Sequence, residues 1–394
     1  MPKCILPWIS IETTPMGTMR PCCLTTNGIP DMNLKTHTLQ DGFTSDYMVD
    51  LRSAFRDGKT PGQCRNCWRE EDAGKKSKRE YMLEKFKHIE VDWENVEQGN
   101  GLHFLDLKLG NICNLKCRIC GSWSSSKWAK EEIDYVADQI PAKDHAATQW
   151  LKDGQWPRKS KTFWDHLDEI LPDIKYFEFT GGEPWMIKQH FDLLQRAVDQ
   201  GFAQDIDIHY NTNATQFPKD PSIWKHFKHI QIAFSVDNTG KRFEYERYGA
   251  KWNRANTNIK KVNALRDDLN YPITTQLCTT WNVHNIYYMD EILTWAQTKN
   301  FDSIHFNVLH DPFEFSLSCI PVRAQSQVMI YLQKQQVKWT QYASDIDALK
   351  KIVVSSKFDS TTELHTKLRR TDLYRNQNFA QSHAKMAKAI GYEL

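Results

Sequence analysis

Between residues 102 and 310, six short stretches alternate apolar and polar side chains with a period of two: 102–109, 176–180, 206–211, 230–236, 273–279 and 304–308. In the first, Leu105 and Leu107 fall on one side and Asp106 and Lys108 on the other. Phe177 and Phe179 oppose Glu178 and Thr180; Ile206, Ile208 and Tyr210 oppose Asp207, His209 and Asn211. Ile232, Phe234 and Val236 oppose Gln231 and Ser235, and Ile304, Phe306 and Val308 oppose His305 and Asn307. Side chains alternate across a strand, so each stretch predicts a strand with one apolar and one polar face. Helical periods fall between them at 125–138, 163–171, 187–200, 256–267 and 286–299. Strands alternating with helices predict a parallel sheet, and six such units that curl give a partial (β/α)6 barrel, short of the eight of a TIM barrel.

Parallel strands buried on both faces should be apolar throughout. The repeated polar stripe therefore predicts a polar interior that holds substrate, with Lys108, Glu178, His209, Gln276 and His305 as orienting residues. A buried ion-pair network, for instance Lys108 with Asp106 and Glu178, is the competing reading, because buried charges are normally paired.

Residues 1–90 have short hydrophobic periods punctuated by Pro and Gly and hold five of the ten cysteines. They read as a small domain of hairpins and loops with one helix near 45–55, short of a core and helped by a metal staple. The basic run Lys75–Arg79 reads as a solvated face in a linker-like region, the boundary itself falling at 91–101. Residues 311–394 read as a mostly helical extension, with helices at 324–342, 345–354 and 373–390. From residue 321 it carries twelve Lys and Arg against six Asp and Glu, again a solvated face.

The chain of 394 residues, 40% hydrophobic and 25% charged, is ordinary for a water-soluble protein. A net charge of +2 favours neither nucleic acid nor an anionic membrane. No apolar run is long enough to span a bilayer and the start shows no secretory signal, so a cytoplasmic location is expected. In a reducing compartment, ten cysteines suggest metal ligands rather than disulfides. Cys278 and Cys319 fit no ligand pattern and read as buried structural thiols.

The chemistry concentrates in Cys113-Asn-Leu-Lys-Cys117-Arg-Ile-Cys120, directly after the first strand. Thiolates are soft ligands for iron–sulfur clusters or zinc. Three at this spacing can hold three corners of a four-iron cube and leave the fourth iron open; a zinc site would need a fourth ligand, with His103 across the strand as a candidate. Cys64-x2-Cys67 is a half-site for either metal, which Cys4 and Cys22 or Cys23 could complete.

The Cys113-x3-Cys117-x2-Cys120 spacing, followed at the end of the second strand by Gly181-Gly182-Glu183-Pro184, resembles the radical S-adenosylmethionine (SAM) superfamily over residues 102–310. Cys4, then Gly17-x4-Cys22, then Cys64-x2-Cys67 resembles the auxiliary-cluster domains called SPASM and twitch, here preceding the barrel instead of following it. The resemblance implies a [4Fe-4S] cluster on Cys113, Cys117 and Cys120 that cleaves SAM to a 5′-deoxyadenosyl radical, which abstracts a substrate hydrogen. It implies a second, auxiliary [4Fe-4S] cluster on Cys4, Cys22, Cys64 and Cys67. It places SAM against Gly181, Gly182, Glu183, Pro184, Asn211, Asn213, Ser235, Asp237, Arg247 and Asn307. It further implies an oxidoreductase or peptide maturase with a peptide or small-molecule substrate and a flavodoxin- or ferredoxin-type electron donor. The reading from a different class is a zinc-stapled, non-catalytic binding protein on a degenerate barrel.

Overall fold

The computed structural model describes residues 3–135, 137, 139–355 and 361–392. Residues 136 and 138 of the helix expected at 125–138 lie outside them, as do 356–360 and 393–394 of the expected extension. The strands are β1 Ser10–Thr13, β2 Met19–Arg20, β3 Phe104–Leu107, β4 Lys116–Cys117, β5 Tyr176–Phe179, β6 Asp207–Thr212, β7 His229–Ser235, β8 Arg247–Tyr248, β9 Ile273–Trp281 and β10 Ser303–Val308. Eight of them form one mixed sheet in the order β10-β9-β7-β6-β5-β3-β1-β2, parallel throughout except for the β1–β2 pair. All six strands expected between 102 and 310 are present, and each neighbours the next in the chain. Helices join them: Lys188–Asp199, for example, buries His190, Leu193, Leu194 and Ala197 at helical spacing. Along β6 and β9 every second residue is fully buried, and the intervening polar ones stay partly accessible.

The N-terminal residues depart from expectation. Helices Leu6–Ile9, Leu39–Phe43, Asp46–Arg56, Arg65–Asp72 and Lys78–Lys85 replace most of the hairpins. The sheet also continues across the expected boundary at 91–101, because β1 pairs in parallel with β3, Ser10 opposite Phe104 and Glu12 opposite Asp106. Trp8, Ile9 and Ile11 thereby join the same apolar core as Phe104, Leu105 and Phe177. The basic run is not a solvated face throughout. Ser77 and Glu80 form a capping box that starts Lys78–Lys85, and the Lys78 side chain, 13% exposed, turns inward onto Glu178.

At the C-terminal end, the expected helix 373–390 is instead the last turn of Thr361–Arg375 followed by Phe379–Ser382 and Ala384–Ile390. The break falls at Asn376, whose φ of 48° is left-handed, a conformation Asn tolerates at a helix end. Among the described residues no helix is long and apolar enough to cross a membrane.

One buried cation fastens the N-terminal residues. Arg52, with no exposed surface, donates to the carbonyls of Pro7 (2.8 Å), Phe43 (2.6 Å), Val96 (2.9 Å) and Glu97 (3.3 Å) and stacks on the Phe43 ring at 4.5 Å. Four acceptors from three separate segments thus share one guanidinium. Arg52→Met keeps the bulk but orphans them, at about 1–3 kcal/mol per buried acceptor. We expect a loss of at least about 3 kcal/mol in chemical denaturation, on the same scale; a change too small to resolve would show the clamp to be dispensable.

Candidate functional site

The three clustered cysteines sit on a loop at the C-terminal edge of the sheet, where β3 ends. Gly110, at φ +103°, passes so close to Gly154 that a Cβ would lie 2.4 Å from its carbonyl oxygen. Beyond it the loop is pinned by Ser125 Oγ donating to the Leu115 carbonyl (2.6 Å) and Trp128 Nε1 to that of Cys117 (2.7 Å). Inside it, β4 pairs with β8 and sets Cys117 opposite Arg247. Burial pushes all three thiols up, Cys120 to about 12, with the neighbouring sulfurs adding to the shift at Cys113 and Cys120. Only a positively charged group among them would turn them into thiolates, as bound metal does.

Gly181–Pro184 follows β5 and closes on this loop. Gly182, at φ +61°, leaves no room for a side chain: a Cβ would stand 2.5 Å from the Ile112 carbonyl oxygen. The amides of Gly182 and Glu183 donate to the carbonyls of Ser124 (3.1 Å) and Ile112 (2.8 Å), so the two motifs are stitched together by backbone. Glu183 is fully buried and accepts from Thr212 Oγ1 (2.9 Å), the Asn213 amide (2.8 Å) and the Trp185 amide (3.3 Å). Asn213 in turn reaches Cys113 Sγ (3.9 Å) and Asn114 Oδ1 (3.1 Å). Glu183 thus carries the end of β6 to the cysteine loop.

Arg247 reaches Asp237 Oδ2 at 2.6 Å with one nitrogen and Cys117 Sγ at 3.8 Å with another. Its Nε is buried without a partner, a donor free to take an acceptor beside Cys117. Asp237 also accepts from the Thr280 amide (2.9 Å). Asn307 donates to Thr280 Oγ1 (3.2 Å), which places it on the same edge one strand further out. Asn211 pairs with His209 (3.3 Å) on the polar face of β6, and Ser235 ends β7, two residues before Asp237.

The N-terminal cysteines gather elsewhere. Cys4, Cys22, Cys64 and Cys67 line one small void together with Lys78 and Arg79. Burial raises every one of these thiols, Cys22 to about 11 and Cys64 to about 12, and their mutual repulsion adds to the shift at Cys4, Cys22 and Cys64. Cys23 does not line the void; its sulfur accepts from Lys78 Nζ at 3.1 Å, on the polar face of the sheet. Among the described residues no three His, Cys, Asp or Glu side chains converge on a point as they must for a single metal ion. His103 precedes β3, a full strand away from the cysteine loop, and is held by the Asp173 carbonyl (2.9 Å). Cys319 is buried as expected, whereas Cys278 lies half-buried on β9.

Two of the five stripe residues, Lys108 and Glu178, belong to an ion-pair network. Lys108 meets Glu12 and Asp106 (3.3 Å), and Glu178 meets Lys78 (3.1 Å), which is also 3.6 Å from Asp106. His209 Nδ1 is 2.8 Å from Gln231 Oε1, Gln276 donates to Ser303 Oγ (3.1 Å), and His305 is exposed. Glu12 and Lys78 were not among the expected site residues. Trp8-Ile9-Ser10-Ile11-Glu12 carries the alternation that would have marked β1, but it lies within the cysteine-rich segment read as loops.

No protein-family model matches the chain, and no curated protein does. Among solved structures it is similar to native anSMEcpe with bound AdoMet, at 15% identity and a TM-score of 0.37 over 62% of this chain and 61% of that one. It is also similar to Streptococcus suis SuiB bound to S-adenosylmethionine (14% identity, TM-score 0.34, 60% of this chain and 45% of that one). The same protein bound to precursor peptide SuiA aligns over 75% of this chain and 60% of that one, at 14% identity and a TM-score of 0.37. In each case the alignment spans less than two thirds of the other protein's length.

Burial raises the Glu183 carboxyl from about 4.5 to about 7, against the pull of its three donors. The folded chain therefore holds this proton more tightly than the unfolded one. Its stabilising contribution is full below about pH 4.5 and is lost as pH rises through about 7. Glu183→Gln should flatten the fall in unfolding free energy across that window, read from denaturation curves at stepped pH; an unchanged slope would place the titration elsewhere.

Proposed function

We propose that this chain is a radical SAM enzyme with an auxiliary cluster, built on a sheet that curls into a partial (β/α)6 barrel. The observation that carries the reading is the stitching of Gly181–Glu183 to the Cys113–Cys120 loop, with Arg247 and its unpartnered Nε beside Cys117. Cys113, Cys117 and Cys120 would hold a [4Fe-4S] cluster, and Cys4, Cys22, Cys64 and Cys67 a second one in the void that they share. Four thiols around one void are the ligand set that completes a [4Fe-4S] cluster. A cluster held by Cys113, Cys117 and Cys120 would supply one electron for the reductive cleavage of SAM, the chemistry by which hydrogen abstraction from substrate would begin.

The chain's own residues then have these tasks. Arg247 offers its free Nε to the SAM carboxylate, its charge held in place by Asp237. Gly181 and Gly182 let the backbone come up to the methionine moiety with no side chain between. Glu183, spent on Thr212 and Asn213, keeps that backbone in register. Asn211, Asn213, Ser235 and Asn307 lie along the edge where a nucleoside would rest. Pro184 starts the turn that leads away. The substrate lies against the polar face, oriented by His209, Gln276 and His305, whereas Lys108 and Glu178 are committed to ion pairs that shape the lumen. The substrate is a peptide or a small molecule, and the electron donor is of the flavodoxin or ferredoxin type, in a reducing cytoplasm.

Replacing Cys113, Cys117 and Cys120 together by Ala should abolish 5′-deoxyadenosine formation under reducing conditions and leave one cluster's worth of iron. Continued nucleoside release from the triple variant would overturn the assignment.

Cys22→Ala should lose the auxiliary cluster, measured as roughly half the iron, whereas Cys23→Ala should keep it. The reverse result would exchange their roles.

A further inference from the structure

A cavity of about 580 Å³, in the size range of ligand sites, opens beside Cys120, and none of Lys108, Glu178, His209, Gln276 and His305 lines it. Its floor is the cysteine loop. One wall is aromatic: Trp123, 42% exposed, lies against Gly121 so closely that a Cβ there would overlap the indole. Phe315, from the segment that follows β10, and Tyr135 continue that wall. The opposite wall is one face of helix Thr361–Arg375. Leu364, Leu368, Asp372 and Arg375 form its buried face, and Glu363, Thr366, Arg370 and Tyr374 turn the other face to the cavity.

The charges on that face are informative. Lys367 is neutralised by Glu314 at 3.0 Å, and Glu131 by Arg375 at 2.9 Å. Arg370 stacks on Tyr135 at 4.2 Å and has no carboxylate partner among the described residues; Glu363 likewise has no cation. The two stand seven positions apart, about 10 Å along the helix at 1.5 Å per residue. Three residues of extended peptide cover the same distance, at about 3.3 Å each. The lining from Thr362 to Tyr374 runs about 18 Å on the same rise, more than a compact small molecule touches.

We propose that this cavity binds a peptide in extended form, an acidic side chain on Arg370, a basic one on Glu363 and aromatic residues between them against Trp123 and Tyr135. If the proposed function holds, a peptide so placed lies against the loop that carries Cys120 and is the leader of a substrate whose reacting end lies against the polar face. Occupancy of the cavity itself needs no cluster.

The test uses the full chain as purified and a fluorescent peptide, acetyl-Glu-Tyr-Phe-Lys-amide, followed by anisotropy. Saturable binding is expected, weakened at least about tenfold by Arg370→Gln and by Thr366→Arg, which fills the cavity; tenfold is about 1.4 kcal/mol. A chain that binds no iron yet still shows this pattern would sink the enzymatic reading and leave the site standing. Absence of saturable binding, or binding unchanged in both variants, would overturn the proposal. So would displacement of the peptide by free 3-phenylpropionate at equal concentration, which would assign the cavity to a small aromatic acid.

Discussion

The arrangement at the C-terminal edge of the sheet depends on one buried carboxylate. Glu183 is removed from water and held by donors from β6, from the residue after it and from its own turn. A buried carboxyl is costly unless its oxygens are occupied. Once occupied, it ties the turn after β5 to the end of β6. Gly182 before it then closes on Ile112 because nothing larger fits, and Gly181 on the Lys108 side chain. The positions of Cys113 and of the residues across from it follow from that closure.

Much of this edge was legible in the sequence. Strands with a period of two, helices between them and glycines at a strand end are local signals, and the structure carries each where the pattern put it. The cysteine spacing was equally plain. What could not be read was which polar residues on the stripe belong to one another. Lys108 was visible as an inward-facing charge, but its partner Glu12 comes from a strand 96 residues earlier, in a segment read as loops. Lys78 was hidden more thoroughly, since a basic run on a helix gives no sign that one member turns inward. Long-range pairing is a tertiary fact, and a single sequence carries only its local half.

The neighbouring cysteines Cys22 and Cys23 make a finer instance. Their chemistry is identical and their positions adjoin, so no rule of spacing alone chooses between them. Backbone direction does: Cys22 turns to the void shared with Cys4, Cys64 and Cys67, and Cys23 turns to Lys78. Lys78 touches both surroundings and so joins the N-terminal void to the polar stripe.

The pairing of β1 with β3 also has a consequence for how the chain folds. Ser10 and Phe104 are opposite one another in the sheet but 94 residues apart in sequence. During synthesis the first strand emerges long before its neighbour exists, with Trp8, Ile9 and Ile11 lacking the surface that finally covers them. Closing so long a loop costs entropy that grows slowly with its length but must be met before the contact rewards it. The helices between 39 and 85 shorten that loop, and the shared guanidinium of Arg52 draws residue 7 towards residues 96 and 97. The first strand thus gains its parallel partner only when the strand after the N-terminal segment has been made.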